Sequence, residues 1–253
     1  MLFRSLMIYN SALDNRMSWA VGSFYDADDF GNSFNDFSDI NLSARVTGAP
    51  LFANDGKQAV HLGISYSHQF RDADEETELR YRVRPSAHIT DARLANTGNI
   101  LADDADIVGL EAAAVFGPFS AQAEYITSMV HSDAADDPVF SGYYIYGSYF
   151  LTGESRDYKP GSGSFSRITP KSDFHPTEGG PGAWELALRY ASVDLTDEDI
   201  EGGELSDITL GVNWHLNPNL RVMFNYVYAD LEDRAEVSDD DANIVQARFQ
   251  IDF

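Results

Sequence analysis

Apolar and polar residues alternate along most of this chain, and helical periodicity is almost absent. In residues 38–47, every second position is apolar; these positions are Ile40, Leu42, Ala44 and Val46. Further alternating segments cover residues 58–70, 78–86, 106–116, 119–130, 184–194, 207–216, 220–229 and 243–253. An aromatic run at 138–152 and weaker runs at 3–9 and 18–25 complete the set. Because successive side chains of a strand point to opposite faces, the pattern predicts an all-β protein of about a dozen strands.

The connections between these segments are of two kinds. Some are tight, such as Gly117-Pro118 and Asn217-Pro218-Asn219, and others are long and acidic, such as "DADDFGNSFND" and "EDRAEVSDDD". Amphipathic strands of about ten residues, short turns at one end and long polar loops at the other are typical of an antiparallel transmembrane β-barrel. A sheet that spans a membrane must close, since an open edge in lipid leaves backbone groups unpaired.

A soluble β-sandwich is the alternative fold for the same alternation. Two features favour the membrane barrel. The polar faces carry hydrogen-bonding residues such as Ser, Asn, Gln and Arg, and the apolar faces are large and aromatic, with no candidate helix to cover them. Aromatic residues near strand ends suit the interfacial girdles of a barrel; they are Trp184, Trp214, Tyr226, Tyr228 and Phe253. Terminal Phe253 also resembles the end of the last strand by which outer-membrane proteins are recognised for insertion.

Composition excludes several classes of function. The chain has 41 acidic and 17 basic residues and a net charge of −24, whereas a nucleic-acid-binding protein needs a basic face. It has no cysteine, which excludes disulfides and thiolate metal sites. The six histidines show no metal-ligand spacing, and the chain shows no set of nucleophile, base and orienting residue. We therefore expect no metal, no cofactor and no enzymatic activity.

Three arginines stand at every second position of "ELRYRVRPS", residues 78–86. Arg80, Arg82 and Arg84 alternate with apolar side chains, so in a strand all three project from one face. In the lumen of a barrel they would stand roughly 6.5–7 Å apart, close enough to pass a hydrated anion from one to the next. Arginine suits this role because it stays charged and offers a fork of donors to oxyanions. We predict a membrane-spanning strand whose arginines line an anion path.

Further arginines fall on the lumen side of their strands by the same alternation; they are Arg45, Arg189, Arg221 and Arg248. The alternative is that lumenal arginines only pair with lumenal carboxylates, which are Glu111, Glu124 and Glu185. Arg189 follows Glu185 by four residues on the same face, so an ion pair between them is expected at least as strongly as anion binding.

Several blocks of the sequence are long and specific. They are "MSWAVGSF", "LRYRVRPSAHI", "GLEAAAVFGPFSAQAEY", "YYIYGSYFLTGESRDYK", "GAWELALRY", "ITLGVNWHLNPNLRVMFNYVYADL" and "ARFQIDF". Through these blocks, which are spread over essentially the whole chain, the sequence resembles the phosphate-selective porins O and P of Gram-negative outer membranes. The resemblance implies a sixteen-stranded, homotrimeric anion channel surrounded by outer-membrane lipid and lipopolysaccharide, with arginines stepping down its lumen. Arg80, Arg82 and Arg84 match that ladder residue by residue.

The chain departs from the family pattern in two respects. About a dozen strands is fewer than sixteen, and Met1 falls inside the pattern. We therefore expect residues 1–253 to form a single outer-membrane barrel domain that lacks the family's N-terminal part. The expected losses are a signal peptide, the first strands and an inward-folded loop that supplies constriction cations.

A long segment follows the aromatic run. If the last strand ends in the periplasm, the two tight turns are periplasmic, residues 87–105 form an extracellular loop, and residues 154–181 lie on the periplasmic side. The latter segment is locally the most basic part of the chain, with Arg156, Lys159, Arg167 and Lys171. It is either a flexible linker or an element that folds into the lumen and narrows it, and the sequence favours neither.

The expected function is that of an outer-membrane porin with a water-filled channel for small anions. The resemblance implies phosphate or polyphosphate as the anion. Two alternatives stay open: a general, weakly selective or cation-favouring porin whose acidic mouth dominates, and a non-conducting structural barrel with a plugged lumen.

Overall fold

The structure is a computed structural model that describes residues 5–25, 40–70, 78–87, 90–132, 136–235 and 240–252. In chain order, the strands are β1 (Ser5–Ala12), β2 (Met17–Tyr25), β3 (Ile40–Ala53), β4 (Gln58–Phe70), β5 (Glu78–Leu79), β6 (Arg82–Val83), β7 (Ala95–Asn96), β8 (Ile100–Leu101), β9 (Asp104–Phe116), β10 (Phe119–His131), β11 (Val139–Phe150), β12 (Tyr158–Lys159), β13 (Ser164–Phe165), β14 (Ala183–Asp197), β15 (Ile200–Asn217), β16 (Leu220–Arg234) and β17 (Asp240–Ile251). A 3₁₀ turn, Asn54–Gly56, connects β3 to β4. Within the described ranges, no helix is long and apolar enough to cross a membrane.

The long strands form one antiparallel sheet of eleven strands, in the order β1-β2-β3-β4-β9-β10-β11-β14-β15-β16-β17. Each of them pairs with the next long strand along the chain, so the predicted all-β antiparallel fold is confirmed. This order leaves two excursions, because β4 pairs directly with β9 and β11 pairs directly with β14. The described residues of the first excursion and residues 151–182 of the second add no strand to the main sheet.

The two ends of the sheet differ. Because neighbouring strands run in opposite directions, the Gly117-Pro118 turn, the Asn217–Asn219 turn and residues 151–182 all lie at one end, here termed the turn end. The first excursion leaves from the opposite end, termed the loop end. The predicted hairpin at Gly117-Pro118 is confirmed: Gly117 has a φ of 60°, a left-handed conformation that glycine adopts without steric cost.

The two faces of the sheet carry the side chains that the alternation assigns to them. Leu62 exposes 53% of its surface, whereas its neighbour His61 exposes 5%. The face of Leu62, termed the outer face, carries exposed apolar residues on successive strands; examples are Leu110, Tyr125, Leu188, Leu210 and Phe224. The face of His61, termed the inner face, is mainly polar. A register slip of one residue would exchange the two faces, so the pattern also specifies the pairing.

Two apolar clusters interrupt the polar inner face. Near the loop end, Val130 and Phe140 are buried together with Leu79 and Ile100 of the first excursion. Near the turn end, three small wall residues bury Tyr158 of the second excursion; they are Ala49, Ala59 and Val115. Each excursion therefore packs on the inner face through an apolar cluster of its own.

The prediction that residues 78–86 form a membrane-spanning strand is wrong. Only the two-residue strands β5 and β6 form there, and they pair with β8 and β7 of the returning chain. Among the described residues the sheet has eleven long strands, close to the predicted dozen. The expectation that an inward-folded loop is missing is also wrong, since this segment is one. The described part of residues 87–105, which the sequence predicted as an extracellular loop, pairs with this segment through β7 and β8.

The outer face predicts an asymmetry between two neighbouring residues of β16. Phe224→Arg places a guanidinium on the exposed apolar face, whereas Met223→Arg places it on the polar inner face. In a membrane barrel, Phe224→Arg is expected to lower the free energy of unfolding by about 2–4 kcal/mol, and Met223→Arg by much less. Denaturant unfolding in lipid vesicles measures both. Equal effects of the two substitutions would contradict the assignment of the outer face to lipid.

Candidate functional site

The stretch 78–101 is termed the arginine segment, and its described residues fold back on the inner face of the sheet. Within it, Leu79 is buried and Tyr81 and Val83 pack against the loop-end cluster, whereas Arg80 and Arg82 are exposed. The alternation that predicted a membrane strand is thus real, but its apolar side contacts the wall of the sheet and not lipid. Arg80 and Arg82 consequently lie on the side of the segment opposite to this apolar packing.

Apolar packing and one hydrogen bond hold the first half of the arginine segment. The rings of Tyr81 and Phe140 lie 5.2 Å apart between centroids, and the Tyr81 hydroxyl lies 2.8 Å from Ser128 Oγ. Beneath the second half, Ala95 is completely buried. Burial of this kind fixes the position of the arginines relative to the wall.

Polar side chains of three wall strands hold the other parts of the segment. Arg234 Nη1 donates to the carbonyl oxygen of Arg93 at 2.9 Å, and Gln246 Nε2 donates to that of Ser86 at 2.9 Å. Ser86 Oγ in turn donates to Asp207 Oδ2 at 2.9 Å. Charged donors make stronger hydrogen bonds than neutral ones, so Arg234 is the principal polar anchor.

A cavity of about 630 Å³ is lined by residues of the arginine segment and of the wall. Four arginines are among the residues that line it: Arg80, Arg82, Arg93 and Arg189. Glu124 is the one carboxylate among those described lining residues. The cavity therefore concentrates positive charge in a strongly acidic protein. The sequence pattern missed Arg93, because it lies on the returning half of the segment and outside the alternating run.

Arg189 is held by the arginine segment and the wall together. Its Nη1 donates to Ser86 Oγ at 2.7 Å and lies 3.4 Å from Asp207 Oδ1. Its guanidinium carbon lies 4.9 Å from the ring centroid of Tyr144. The ion pair expected with Glu185 is replaced by this one with Asp207, whereas Glu185 accepts a hydrogen bond from Asn213 at 2.9 Å.

Arg45 has a different environment. Its Nε and Nη2 donate to the two carboxylate oxygens of Glu111 at 2.6 and 2.8 Å, and Nη2 also donates to the carbonyl oxygen of Gly163. The alternative of a lumenal ion pair is confirmed for this arginine. A bidentate pair of this kind largely neutralises the charge that Arg45 would otherwise present to an anion.

The remaining predicted arginines lie outside the lining of this cavity. Arg84 Nη2 is 3.4 Å from Asp91 Oδ1, on the returning half of the arginine segment. Arg221 Nη2 donates to Gln250 Oε1 at 2.8 Å on the neighbouring strand. Arg248 is exposed on the inner face of β17.

Residues 151–182, termed the basic segment, pack on the inner face at the turn end. Arg156 Nη1 donates to Gln122 Oε1 at 2.7 Å, and its guanidinium carbon lies 3.7 Å from the ring centroid of Phe165. Burial lowers the pKa of Arg156. Tyr158 Oη lies 2.7 Å from His61 Nδ1, and burial raises the pKa of Tyr158 to about 12. This part of the chain is therefore packed against the wall and is not a free linker.

The other cations of the basic segment are more accessible. Arg167 Nη1 donates to Asn219 Oδ1 at 2.7 Å, and Lys159 and Lys171 are exposed. A second cavity, of about 260 Å³, is lined in part by Arg156 and Arg167. The arginines, carboxylates and histidine that line it are Arg156, Arg167, Arg221, Glu185, Asp252 and His215. Positive and negative groups are more evenly mixed here than in the larger cavity.

The anchoring role of Arg234 predicts a local effect on the arginine segment. In Arg234→Met, the carbonyl oxygens of the returning chain lose a charged donor, which contributes about 1.5–3 kcal/mol. Amide hydrogen exchange in residues 90–101 is expected to accelerate about tenfold or more. Arg248→Met is the matched control, because it removes an exposed arginine from the next strand. The anchoring role is wrong if both variants exchange at the wild-type rate.

Comparison with known proteins places these features in a family. The sequence model of the family described as phosphate-selective porin O and P matches residues 9–253. An uncharacterized protein of Caulobacter vibrioides is 31% identical over 238 residues, covering 92% of this chain and 46% of the relative. Porin O of Pseudomonas aeruginosa is 30% identical over 264 residues, covering 92% of this chain and 56% of the relative. The chain thus spans about half the length of the curated relatives that it matches.

The family match and the structure agree on the architecture. The match extends over nearly every described residue, and the sheet has the antiparallel order and the two-faced strands of a membrane barrel. The chain therefore belongs to the phosphate-selective porin O and P family and has the antiparallel β-barrel fold of that outer-membrane family.

Proposed function

We propose that this protein forms a water-filled channel for small anions, such as phosphate, in the outer membrane of a Gram-negative bacterium. The observation that carries the proposal is the cavity lined by Arg80, Arg82, Arg93 and Arg189. Membership of a porin family implies a channel and not an enzyme. The proposal includes a homotrimer with lipid and lipopolysaccharide around its outer face, as the family resemblance suggests.

The cavity suits transient binding of an anion. Arg80 and Arg82 are exposed, so an anion in the cavity can contact their guanidinium groups directly. Guanidinium groups bind phosphate oxygens through paired donors and stay charged at any physiological pH. Conduction needs several moderate sites in series and not one tight site. Four arginines on two sides of one cavity provide such a series.

Other cations extend the proposed path unequally. Arg221 and Arg248 line the inner face beyond the cavity, whereas Arg45 contributes less because Glu111 already binds it. At the turn end, the basic segment narrows the path, and its candidate constriction residues are Arg156, Lys159, Arg167 and Lys171. Of these, Arg156 is half-buried, and its guanidinium lies against the ring of Phe165.

The net charge of −24 favours a cation-favouring channel as the second candidate. Many carboxylates lie in the connections between strands, where salt screens them. At physiological ionic strength the Debye length is about 8 Å, so an ion in the cavity interacts mainly with groups that it nearly touches. Those groups are chiefly arginines, which is why we favour anions.

The proposal predicts a shift in ion selectivity. Replacing Arg80 and Arg82 with glutamine removes two charges from the cavity and keeps polar side chains. In planar bilayers under a salt gradient, the reversal potential should move toward cation selectivity, and phosphate should block chloride current less well. The shift should be larger at low ionic strength, where screening is weaker.

The matched control replaces Arg16 and Lys57, two exposed cations in turns at the other end of the sheet, with glutamine. This variant should keep the wild-type reversal potential and phosphate block. If the Arg80→Gln/Arg82→Gln channel folds and its selectivity is unchanged, these two arginines do not determine the ion selectivity. A cation reversal potential in the wild type would support the second candidate, and no conductance at all would support the non-conducting barrel.

A further inference from the structure

Four titratable side chains meet on the outer face at the loop end of the sheet, away from the arginine cavity. They are His68 of β4, Asp104 and Asp106 of β9, and His131 of β10. The register explains the meeting, because His68 lies directly opposite Asp106 and His131 lies directly opposite Asp104. Ala105, between the two aspartates, is buried on the inner face, so both carboxylates point outward.

The distances within this cluster, termed the rim cluster, are those of potential metal ligands. His68 Nδ1 lies 2.8 Å from Asp106 Oδ1, and His131 Nε2 lies 3.2 Å from Asp106 Oδ2 and 3.8 Å from Asp104 Oδ1. The ligand atoms of His68, Asp104 and Asp106 all lie within 4.8 Å of one another. In a tetrahedral zinc site, metal–ligand distances of about 2.0–2.2 Å place the ligand atoms roughly 3.3–3.6 Å apart. His131 Nε2 lies outside this group of three, and a side-chain movement that brings it closer to His68 would complete such a site.

A second observation points to a missing ligand. Asp104 Oδ1 is buried, and within the described part of the chain it has no hydrogen-bond partner. A buried carboxylate oxygen without a partner is costly, and native structures avoid it. A cation placed between this oxygen, Asp106 and the two imidazoles would satisfy it.

Neighbouring groups orient the rim cluster as an outer shell would. The Tyr66 hydroxyl donates to Asp106 Oδ1 at 2.6 Å. Asp137 Oδ2 lies 3.6 Å from His131 Nδ1, which leaves Nε2 directed at the aspartates. A carboxylate on the far nitrogen of a ligating histidine is the usual arrangement around protein-bound zinc.

We propose that the rim cluster binds a divalent transition-metal ion, with Zn²⁺ as the best match. Two imidazole nitrogens and two carboxylate oxygens suit zinc, whereas Ca²⁺ and Mg²⁺ prefer six or more oxygen ligands. The ion would link β4, β9 and β10 at the loop end and raise the temperature at which the folded band disappears in gel electrophoresis. This site is independent of the proposed channel.

Calorimetric titration of Zn²⁺ into the detergent-folded chain, in excess Mg²⁺, tests the proposal. The expected result is one Zn²⁺ per chain. His68→Gln, His131→Gln and Asp104→Asn should each weaken binding by about tenfold or more, because even the loss of an outer-shell partner costs about 10–100-fold. Co²⁺ bound at the same site should give the strong visible absorption of tetrahedral coordination. His175→Gln, at an exposed histidine of the basic segment, is the control and should bind Zn²⁺ like the wild type.

Two results would overturn the proposal. One is Zn²⁺ affinity that is unchanged in the His68 and His131 variants, and the other is displacement of Zn²⁺ by the excess Mg²⁺, which would indicate only general binding to acidic loops. If a variant does not fold, labelling of the histidines of the wild type with diethylpyrocarbonate tests the site instead. Zn²⁺ should protect His68 and His131 from labelling but leave His175 reactive, and equal labelling of all three with and without Zn²⁺ would also reject the site.

Discussion

Backbone pairing within one two-faced sheet is the constraint on which the rest of the structure depends. Once neighbouring long strands are paired, the parity of a residue decides its face: Leu62 points outward and His61 inward. A slip by one residue at any strand would bring charged groups such as Glu111 to the apolar outer face, where nothing compensates them. Because lipid cannot satisfy free backbone groups, the two-faced pattern and the continuous pairing are required together. The residues of the inner face are consequently less constrained than those of the outer face.

The inner face uses this freedom to hold two inserted segments. Phe140 and Val130 form an apolar patch that receives Leu79, and Val115 contributes to a second patch that receives Tyr158. Each segment then adds polar contacts to the wall, such as the donation from Arg234 to the backbone of the arginine segment. The apolar patches fix position and the hydrogen bonds fix orientation. The cavity is lined by both parts, since Arg80, Arg82 and Arg93 come from the arginine segment and Arg189 from the wall.

Most of what could be predicted from the sequence came from the alternation of apolar and polar positions, that is, from the parity of each residue within its strand. It assigned the faces of the long strands and the positions of Arg45 and Arg189 correctly, since these need only local alternation. It could not separate a membrane strand from an inward hairpin at residues 78–86, because both place alternate residues on an apolar surface. It also could not identify the partner of Arg189 as Asp207, or bring His68 beside Asp106, because both depend on the register between neighbouring strands, which alternation alone does not give.

The distribution of charge separates two roles along the chain. On the wall, Arg45 is matched by Glu111 and Arg189 by Asp207, so the strands contribute little net charge at these positions. Arg80, Arg82 and Arg93 belong to the inserted segment, which adds positive charge without altering the strand pairing. The sign of the field in the proposed path is therefore encoded mainly in the arginine segment, whereas the stability of the sheet is encoded in strand parity. A related chain could change its ion selectivity by substitutions in the arginine segment alone. Its wall would need to keep the apolar patch that receives Leu79 and the guanidinium donor that Arg234 supplies here.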